Sequence, residues 1–326
     1  MRAAFYEKNG AARDVLQIGE MPTPTPGAGE VRVAVKASGV NPSDVKAREG
    51  RTRKITLPRI IPHSDGAGLI DAVGDGVDKA RIGERVWLWN AQWKRAFGTC
   101  AEFVTLPAAL AVPLPANASF EDGACLGVPA MTAYQAVASA ESWAGSTLLV
   151  TGGAGGVGHY VIQFAKARGA VVIATVSSDA KAELARKAGA DHTVDYKRED
   201  VGARIMDLTD NAGVDAVIDM DLSANAKLLP RVLRSRGTVV VYGMATAESQ
   251  IPSQWMLVNA ITMKFIYVYE LTREERAAAI DEINRLLSAK RLINNVAKTF
   301  PLASIVAAHE AVESGLVPGK VVVTIG

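Results

Sequence analysis

Six consecutive residues, Gly153-Ala154-Gly155-Gly156-Val157-Gly158, carry the strongest chemical signal in this sequence of 326 residues. They form a G-x-G-x-x-G pattern behind the apolar run Thr147-Leu148-Leu149-Val150-Thr151, and they open a helical segment from Val157 to Arg168. In that setting the first glycine permits a tight turn. The second lets a pyrophosphate approach the backbone, and the third lets helix and strand pack closely. The helix N-terminus adds free N–H groups and a partial positive charge. A glycine-rich turn with a purely structural role is the alternative. The strand before and the helix after favour dinucleotide binding.

The end of the next strand tests which dinucleotide. An NAD site usually places an acidic residue about 20 residues on, where it accepts from the ribose 2′-hydroxyl. Here Val176-Ser177-Ser178 occupies that stretch, and Lys181 follows. Hydroxyls and a cation suit a 2′-phosphate, hence NADPH. Asp179 reads as a helix-start residue. Lys181 is otherwise a solvated surface lysine.

The elements that must position these groups fall into two kinds. The first third reads as β-rich: Val31–Val35 alternates with period two, and 67–74 and 85–89 are further short strands among Gly and Pro turns. Such a pattern suggests a small barrel-like or sandwich-like domain. Ala124 to Ala140 looks helical apart from Pro129. From 146 onward apolar strands at 147–151, 171–175, 192–194, 216–218 and 238–242 alternate with helices at 157–168, 180–188, 201–208 and 224–233. That rhythm implies a parallel sheet covered on both faces. Ile261 to Tyr269 reads as one more strand, Leu271 to Ala289 as an amphipathic helix, and Lys320 to Ile325 as a last strand.

Composition narrows the function classes. Thirty-six Lys+Arg against 34 Asp+Glu leave +2, which gives little support to a protein that coats nucleic acid or anionic membrane. Arg51-Thr52-Arg53-Lys54 is a local basic cluster that reads as a solvated loop. Two cysteines, Cys100 and Cys125, rule out a disulfide framework and a four-cysteine zinc site, and fit a reducing compartment. Both read as buried small apolar residues. No apolar run reaches the ~20 residues that span a bilayer, and the N-terminus has no signal-like core. The expectation is a cytoplasmic protein.

Seven motifs in order now carry a resemblance. They are Gly39-Val40-Asn41-Pro42-Ser43-Asp44, His63-Ser64-Asp65-Gly66-Ala67-Gly68, Gly83-Glu84-Arg85-Val86-Trp87, Gly98-Thr99-Cys100-Ala101-Glu102-Phe103, the glycine turn, Gly189-Ala190-Asp191-His192 and Gly213-Val214-Asp215. Together they resemble the medium-chain dehydrogenase/reductase superfamily, and within it the zinc-independent quinone oxidoreductases that include the zeta-crystallin group. The resemblance implies an α/β chain with a GroES-like β-rich catalytic domain over 1–123, completed by 270–326, and a Rossmann dinucleotide-binding domain with a doubly wound parallel sheet over 124–269. It also implies a homodimer, in which the 261–269 strand pairs with its mate.

The zinc branch holds its metal with a Cys where this sequence has Asn41 and a His where it has Ser64, with Asp65 at the Glu position. His63 falls one place early and reads as a loop histidine. No metal site is expected. The resemblance places Asn41 in the nicotinamide–substrate cleft. It gives Ser43 a proton-relay role, where the Asn-Pro-Ser-Asp turn by itself would make Ser43 a cap, and it puts Lys46 where several quinone reductases carry a Tyr. Thr132, Gly243, Phe265 and Tyr267 fall near the nicotinamide, although Phe265 and Tyr267 could equally be strand packing, and Tyr196 falls at the adenosine end. The implied activity is NADPH-dependent hydride transfer to a quinone or an α,β-unsaturated carbonyl. The alternatives are an enoyl thioester reductase, or an NADPH-binding crystallin-like or RNA-binding protein. A short-chain dehydrogenase would need Tyr-x-x-x-Lys, and none of the seven tyrosines has a Lys four residues later.

Overall fold

The computed structural model describes residues 1–139 and 143–326. Two compact units emerge: 1–129 with 280–326, and 130–279.

The first unit is organised by the strand Glu30–Val40. Val31, Val33 and Val35 alternate into the core at 0–2% exposure, as a strand buried on one face requires. Its last three residues, Ser38, Gly39 and Val40, are buried on both faces. The strand pairs antiparallel with Asp65–Val73 on one side, and with Lys320–Thr324 and Phe103–Pro107 on the other. A seven-stranded sheet results, with Arg85–Leu88 and Ala111–Pro113 at one end and Val296–Pro301 at the other. The register matters for function. Gly39 lies opposite Asp65, and Val40 lies opposite Val321. Asn41, Asp65 and Lys320 therefore sit at three adjacent strand ends, although they come from distant parts of the chain.

The second unit is a six-stranded parallel sheet. Its spatial order is His192–Asp195, Val171–Val176, Thr147–Val150, Val214–Asp219, Leu233–Val241 and Thr262–Phe265. The order reverses direction between the first and fourth strands of the unit, where doubly wound sheets bind ligands. Leu148, Leu149, Val150, Ile173 and Val217 are buried to 0–1% exposure, which explains why these strands read as unbroken apolar runs.

Three segments differ from the sequence expectation. The 224–233 helix is three short turns, Leu222–Asn225, Ala226–Leu228 and Leu229–Val232, with Pro230 in the last; a proline has no N–H to continue a helical ladder. The 261–269 strand pairs only over Thr262–Phe265 and then turns at Val268–Glu270, where Val268 is buried. The 124–140 helix is a π-helical turn at Leu126–Ala130, containing Pro129, followed by Met131–Val137; its last residue, Ala140, lies outside the described residues. No described helix is long and apolar enough to cross a membrane.

His63 lies in a loop, as the sequence suggests. It is fully buried, adopts a left-handed backbone with φ of 79°, and belongs to a chain of hydrogen bonds inside the first unit. Thr99 Oγ1 donates to the Asp65 carbonyl at 2.5 Å, so it must accept from Ser38 Oγ at 2.7 Å. Ser38 then accepts from His63 Nδ1 at 2.8 Å, which leaves His63 Nε2 to accept from His309 Nε2 at 3.0 Å. With both rings neutral, the terminal carbonyl dictates their tautomers, Nδ1–H on His63 and Nε2–H on His309. Burial pushes His309 down to about 3, with the Arg48 charge adding to the effect, and burial and His309 hold His63 well below its ordinary range.

In the unfolded chain both histidines take a proton below about pH 6.5. Their stabilising contribution is therefore fully present above that pH and is lost as the pH falls. His309→Gln keeps an Nε2 donor for His63 and does not titrate. Between pH 6.5 and 5 the wild type should lose about 2 kcal/mol more stability than this variant. Urea denaturation at both pH values checks this; equal losses would show that His309 does not carry the acid sensitivity.

Candidate functional site

In the second unit the phosphate-cradling turn follows the strand Thr147–Val150 and leads into the helix Gly158–Ala167. The glycines divide the work differently from the sequence expectation. The left-handed residue is Gly152, with φ of 65°, one place before the motif. Gly153 is instead a packing glycine, because a Cβ there would lie 2.6 Å from Ala174 Cβ. Gly158 allows close approach as expected: a Cβ would come within 2.4 Å of the Gly152 carbonyl. A Cβ on Gly156 would meet nothing within 4 Å. Gly156 therefore gives the turn an open flank at the start of a helix, with no side chain in the way of a pyrophosphate, whereas a Cβ on Gly155 would lie 3.2 Å from the Gly152 carbonyl. Ala154 and Val157 complete the turn. The residues present fit a dinucleotide.

The turn is braced from beneath by a group the sequence did not single out. Asp219, at the end of the neighbouring strand, accepts from Thr151 Oγ1 and from Asn225 Nδ2, both at 2.7 Å. Thr151 Oγ1 in turn accepts from the Met220 N–H at 2.9 Å. Burial raises the Asp219 carboxyl above its usual range. An acidic residue closing a strand in this position was the available signal.

Ser177 and Ser178 follow the strand Val171–Val176. Ser178 is the N-cap of the helix Asp179–Lys187, and its Oγ accepts from the Lys181 N–H at 3.3 Å. The hydroxyl hydrogen of Ser178 remains a donor. Asp179 is the first helical residue, as its sequence position suggested, and its carboxylate is met by Arg198 at 2.8 Å. Arg198 is a second cation in this corner that the sequence reading missed. Tyr196 continues the adjacent strand, with its N–H on the Val176 carbonyl at 3.1 Å, and its side chain is half exposed. Ser177, Ser178, Lys181 and Tyr196 are thus brought together.

Of the other second-unit candidates, Thr132 is buried in the helix Met131–Val137. Gly243 follows the fifth strand and packs on its neighbour, where a Cβ would lie 2.3 Å from the Met220 carbonyl. Phe265 and Tyr267 are not packed within the sheet. They are 60% and 56% exposed, and Leu257 and Val258 on the preceding helix are 79% and 73% exposed.

In the first unit Asn41 is the N-cap of the helix Pro42–Glu49. Its N–H donates to Asp44 Oδ2 at 2.8 Å. Ser43 lies inside the first turn, so the capping role proposed for it belongs to Asn41 and Asp44; Lys46 is one turn further on. Burial pushes the Asp44 carboxyl up to about 7, with the Asp65 charge adding to the shift.

The Asn41 side chain belongs to a buried cluster that the sequence only half revealed. Asp65 is fully buried. Its Oδ1 accepts from the Val128 N–H at 2.7 Å, and its Oδ2 accepts from Asn41 Nδ2 at 2.7 Å and from Lys320 Nζ at 2.9 Å. Lys320 Nζ also donates to Asn41 Oδ1 at 2.5 Å. Two glycines make the room. A Cβ on Gly127 would lie 2.2 Å from Asp65 Oδ1, and one on Gly39 would lie 2.8 Å from Lys320 Cε. Ser64, at the other zinc-ligand position, is also buried. Among the described residues no group of three or more His, Cys, Asp or Glu side chains converges as a metal site. Cys100 and Cys125 are buried free thiols, and burial pushes Cys125 up to about 12 and Cys100 further, so neither is poised as a nucleophile.

Comparison with known proteins bears on these sites. Residues 27–116 match the model of the alcohol dehydrogenase GroES-like domain, and residues 156–285 match that of the zinc-binding dehydrogenase domain. A quinone oxidoreductase from Rattus norvegicus is 32% identical over 80% of this chain and 79% of its own length. Among solved structures, an NAD-dependent alcohol dehydrogenase superposes with a TM-score of 0.91 at 29% identity, covering all of both chains. A quinone oxidoreductase from Escherichia coli, solved with NADPH, superposes with a TM-score of 0.89 at 28% identity, covering 99% of this chain and all of that one.

Proposed function

The chain belongs to the medium-chain dehydrogenase/reductase superfamily, in its quinone oxidoreductase family, and from that premise we propose that it is an NADPH-dependent reductase of quinones or α,β-unsaturated carbonyls that works without zinc. The observation that carries this reading is the open-flanked turn through Gly156, followed at the end of the next strand by Ser177, Ser178 and Lys181 where an acidic residue would select NAD.

NADPH, when bound, supplies the hydride from its nicotinamide ring. The N–H groups of Gly156 and Val157 bind the pyrophosphate at the helix N-terminus, while the Gly155 N–H closes the turn on the Gly152 carbonyl. Ser177, Ser178 and Lys181 hold the 2′-phosphate, and Tyr196 covers the adenosine. Thr132, Gly243, Phe265 and Tyr267 line the nicotinamide end. Asn41, Ser43 and Lys46 face the acceptor. Quinones and activated enones accept hydride without the Lewis acid that an aldehyde or alcohol oxygen needs. That fits a chain in which Asn41 and Ser64 stand at two zinc-ligand positions and a lysine ammonium lies against Asn41 and Asp65.

We further propose a homodimer. Among the described residues the edge strand Thr262–Phe265 has a partner on one side only, and Phe265, Tyr267, Leu257 and Val258 are more than half exposed. An unpaired apolar edge of this kind is usually covered. Light scattering at micromolar concentration should give about 69 kDa, twice 34.4 kDa. A mass near 34.4 kDa would contradict the pairing.

Chelator treatment should leave quinone reduction unchanged. Stoichiometric zinc that left the protein together with its activity would defeat the zinc-free reading.

The wild type should prefer NADPH to NADH. A charge-assisted hydrogen bond to phosphate contributes about 1.5–3 kcal/mol, or roughly ten- to hundredfold in affinity. Lys181→Ala should raise the KM for NADPH by that factor and leave NADH kinetics nearly unchanged. An equal loss with both cofactors would mean that Lys181 acts through the fold. A wild type that favoured NADH would remove the assignment.

A further inference from the structure

The cluster at the three strand ends constrains more than its own packing. An amide can present either its oxygen or its nitrogen to a reaction site, and the two choices have opposite chemistry. In Asn41 the choice is made by its neighbours. Lysine is a donor only, so the atom facing Lys320 must be the amide oxygen. Asp65 accepts from the Val128 N–H at Oδ1 and from Lys320 Nζ at Oδ2, and with the amide oxygen on Lys320 the atom facing Asp65 is the amide nitrogen. Among the described residues only one of the two hydrogens on Asn41 Nδ2 has a partner, and the residue is 2% exposed. The oxygen has no freedom to turn outward while Lys320 holds it.

We propose that Lys320 is a positioning residue that locks Asn41 as a hydrogen-bond donor to the acceptor's carbonyl oxygen. This rests on the reductase reading above. When hydride adds to the acceptor carbon, its electron pair displaces the C=C or C=O π electrons, and negative charge collects on that oxygen. A proton from water completes the reduction. A preorganised N–H aimed at the oxygen is most useful as the charge develops. The Lys320 charge strengthens this donor, because an ammonium on the amide oxygen draws electron density from the nitrogen. The lysine thus contributes through Asn41. Its own charge is offset by Asp65, as a buried ammonium requires. Its position follows from the register that sets Val321 against Val40, and its stem passes over Gly39, where any side chain would block it.

Two variants separate the donor from the fold. Lys320→Met keeps the stem and removes the charge. Asn41→Asp keeps an acceptor for Lys320 and removes the N–H. With a quinone or enone acceptor, each should lower kcat roughly ten- to hundredfold. The Kd for NADPH, read by fluorescence titration, should stay within about twofold, because none of the residues assigned to the 2′-phosphate or pyrophosphate has changed. The double variant should be no slower than the slower single one, since both remove the same donor. Additive losses, or a folded Lys320→Met protein with wild-type kcat, would overturn the proposal. If Lys320→Met does not fold, Asn41→Asp decides: near-wild-type kcat there would show that Asn41 is not needed as a donor. A wild type that reduces no quinone or enone overturns the reductase reading instead. In that case a double-mutant cycle on thermal unfolding, with Lys320→Met and Asn41→Ala, still reads the lock itself: a coupling between the positions supports it, and simple additivity rejects it.

Discussion

A lysine ammonium and an aspartate carboxylate removed from water together are tolerable only if each is the other's partner and every remaining polar atom is met. Lys320 and Asp65 satisfy that demand through Asn41 and the Val128 N–H. The demand reaches outward. It requires three strand ends to lie side by side, which fixes the register of the central sheet of the first unit. It requires glycine at 39 and 127, where the lysine stem and the carboxylate press against backbone. It also places Asn41 at the start of a helix, with Asp44 closing the turn. Loss of one member would leave a buried charge unpaired, which costs far more than the pair contributes when complete.

The second unit depends on a different constraint. Its turn must bring backbone N–H groups to an open surface at a helix start, and this is possible only where backbone packs directly on backbone. Gly158 against the Gly152 carbonyl, and Gly153 against Ala174, supply that closeness. Gly156 contributes by having no side chain at all. The Thr151–Asp219–Asn225 hydrogen bonds stiffen the strand ends beneath, so the turn is held from the core side and open on the other. The two units therefore differ in what they present: one backbone amides and hydroxyls, the other an amide held between a buried lysine and a buried aspartate.

Most of this was legible where cause and effect are close in sequence. The alternation of apolar strands and helices predicted the parallel sheet, because a strand buried on both faces has no polar side to show. The glycine pattern located the phosphate turn, although it could not tell that Gly152, rather than Gly153, takes the left-handed backbone, since adjacent glycines are interchangeable on paper. Lys320 was invisible for the opposite reason. It stands 279 residues from Asn41 and 255 from Asp65, and nothing local distinguishes it from a lysine opening an ordinary strand. The buried partner of the loop residue His63 was equally hidden, because His309 lies 246 residues away. The sequence overstates the edge strand because β-branched and aromatic residues continue past Phe265, whereas pairing stops where the chain turns to bury Val268.

Direct hydride transfer is the claim on which the functional account stands, and isotope transfer reads it without reference to any single side chain. NADPH carrying deuterium at both C4 positions of the nicotinamide should deliver one label to the β-carbon of an enone, found by mass spectrometry in a carbon–hydrogen bond of the product. Stereospecific transfer from one face of the ring would match a cofactor held in a fixed pose. Turnover with no label in the carbon skeleton would contradict the account, because the electrons would then have reached the acceptor by another route.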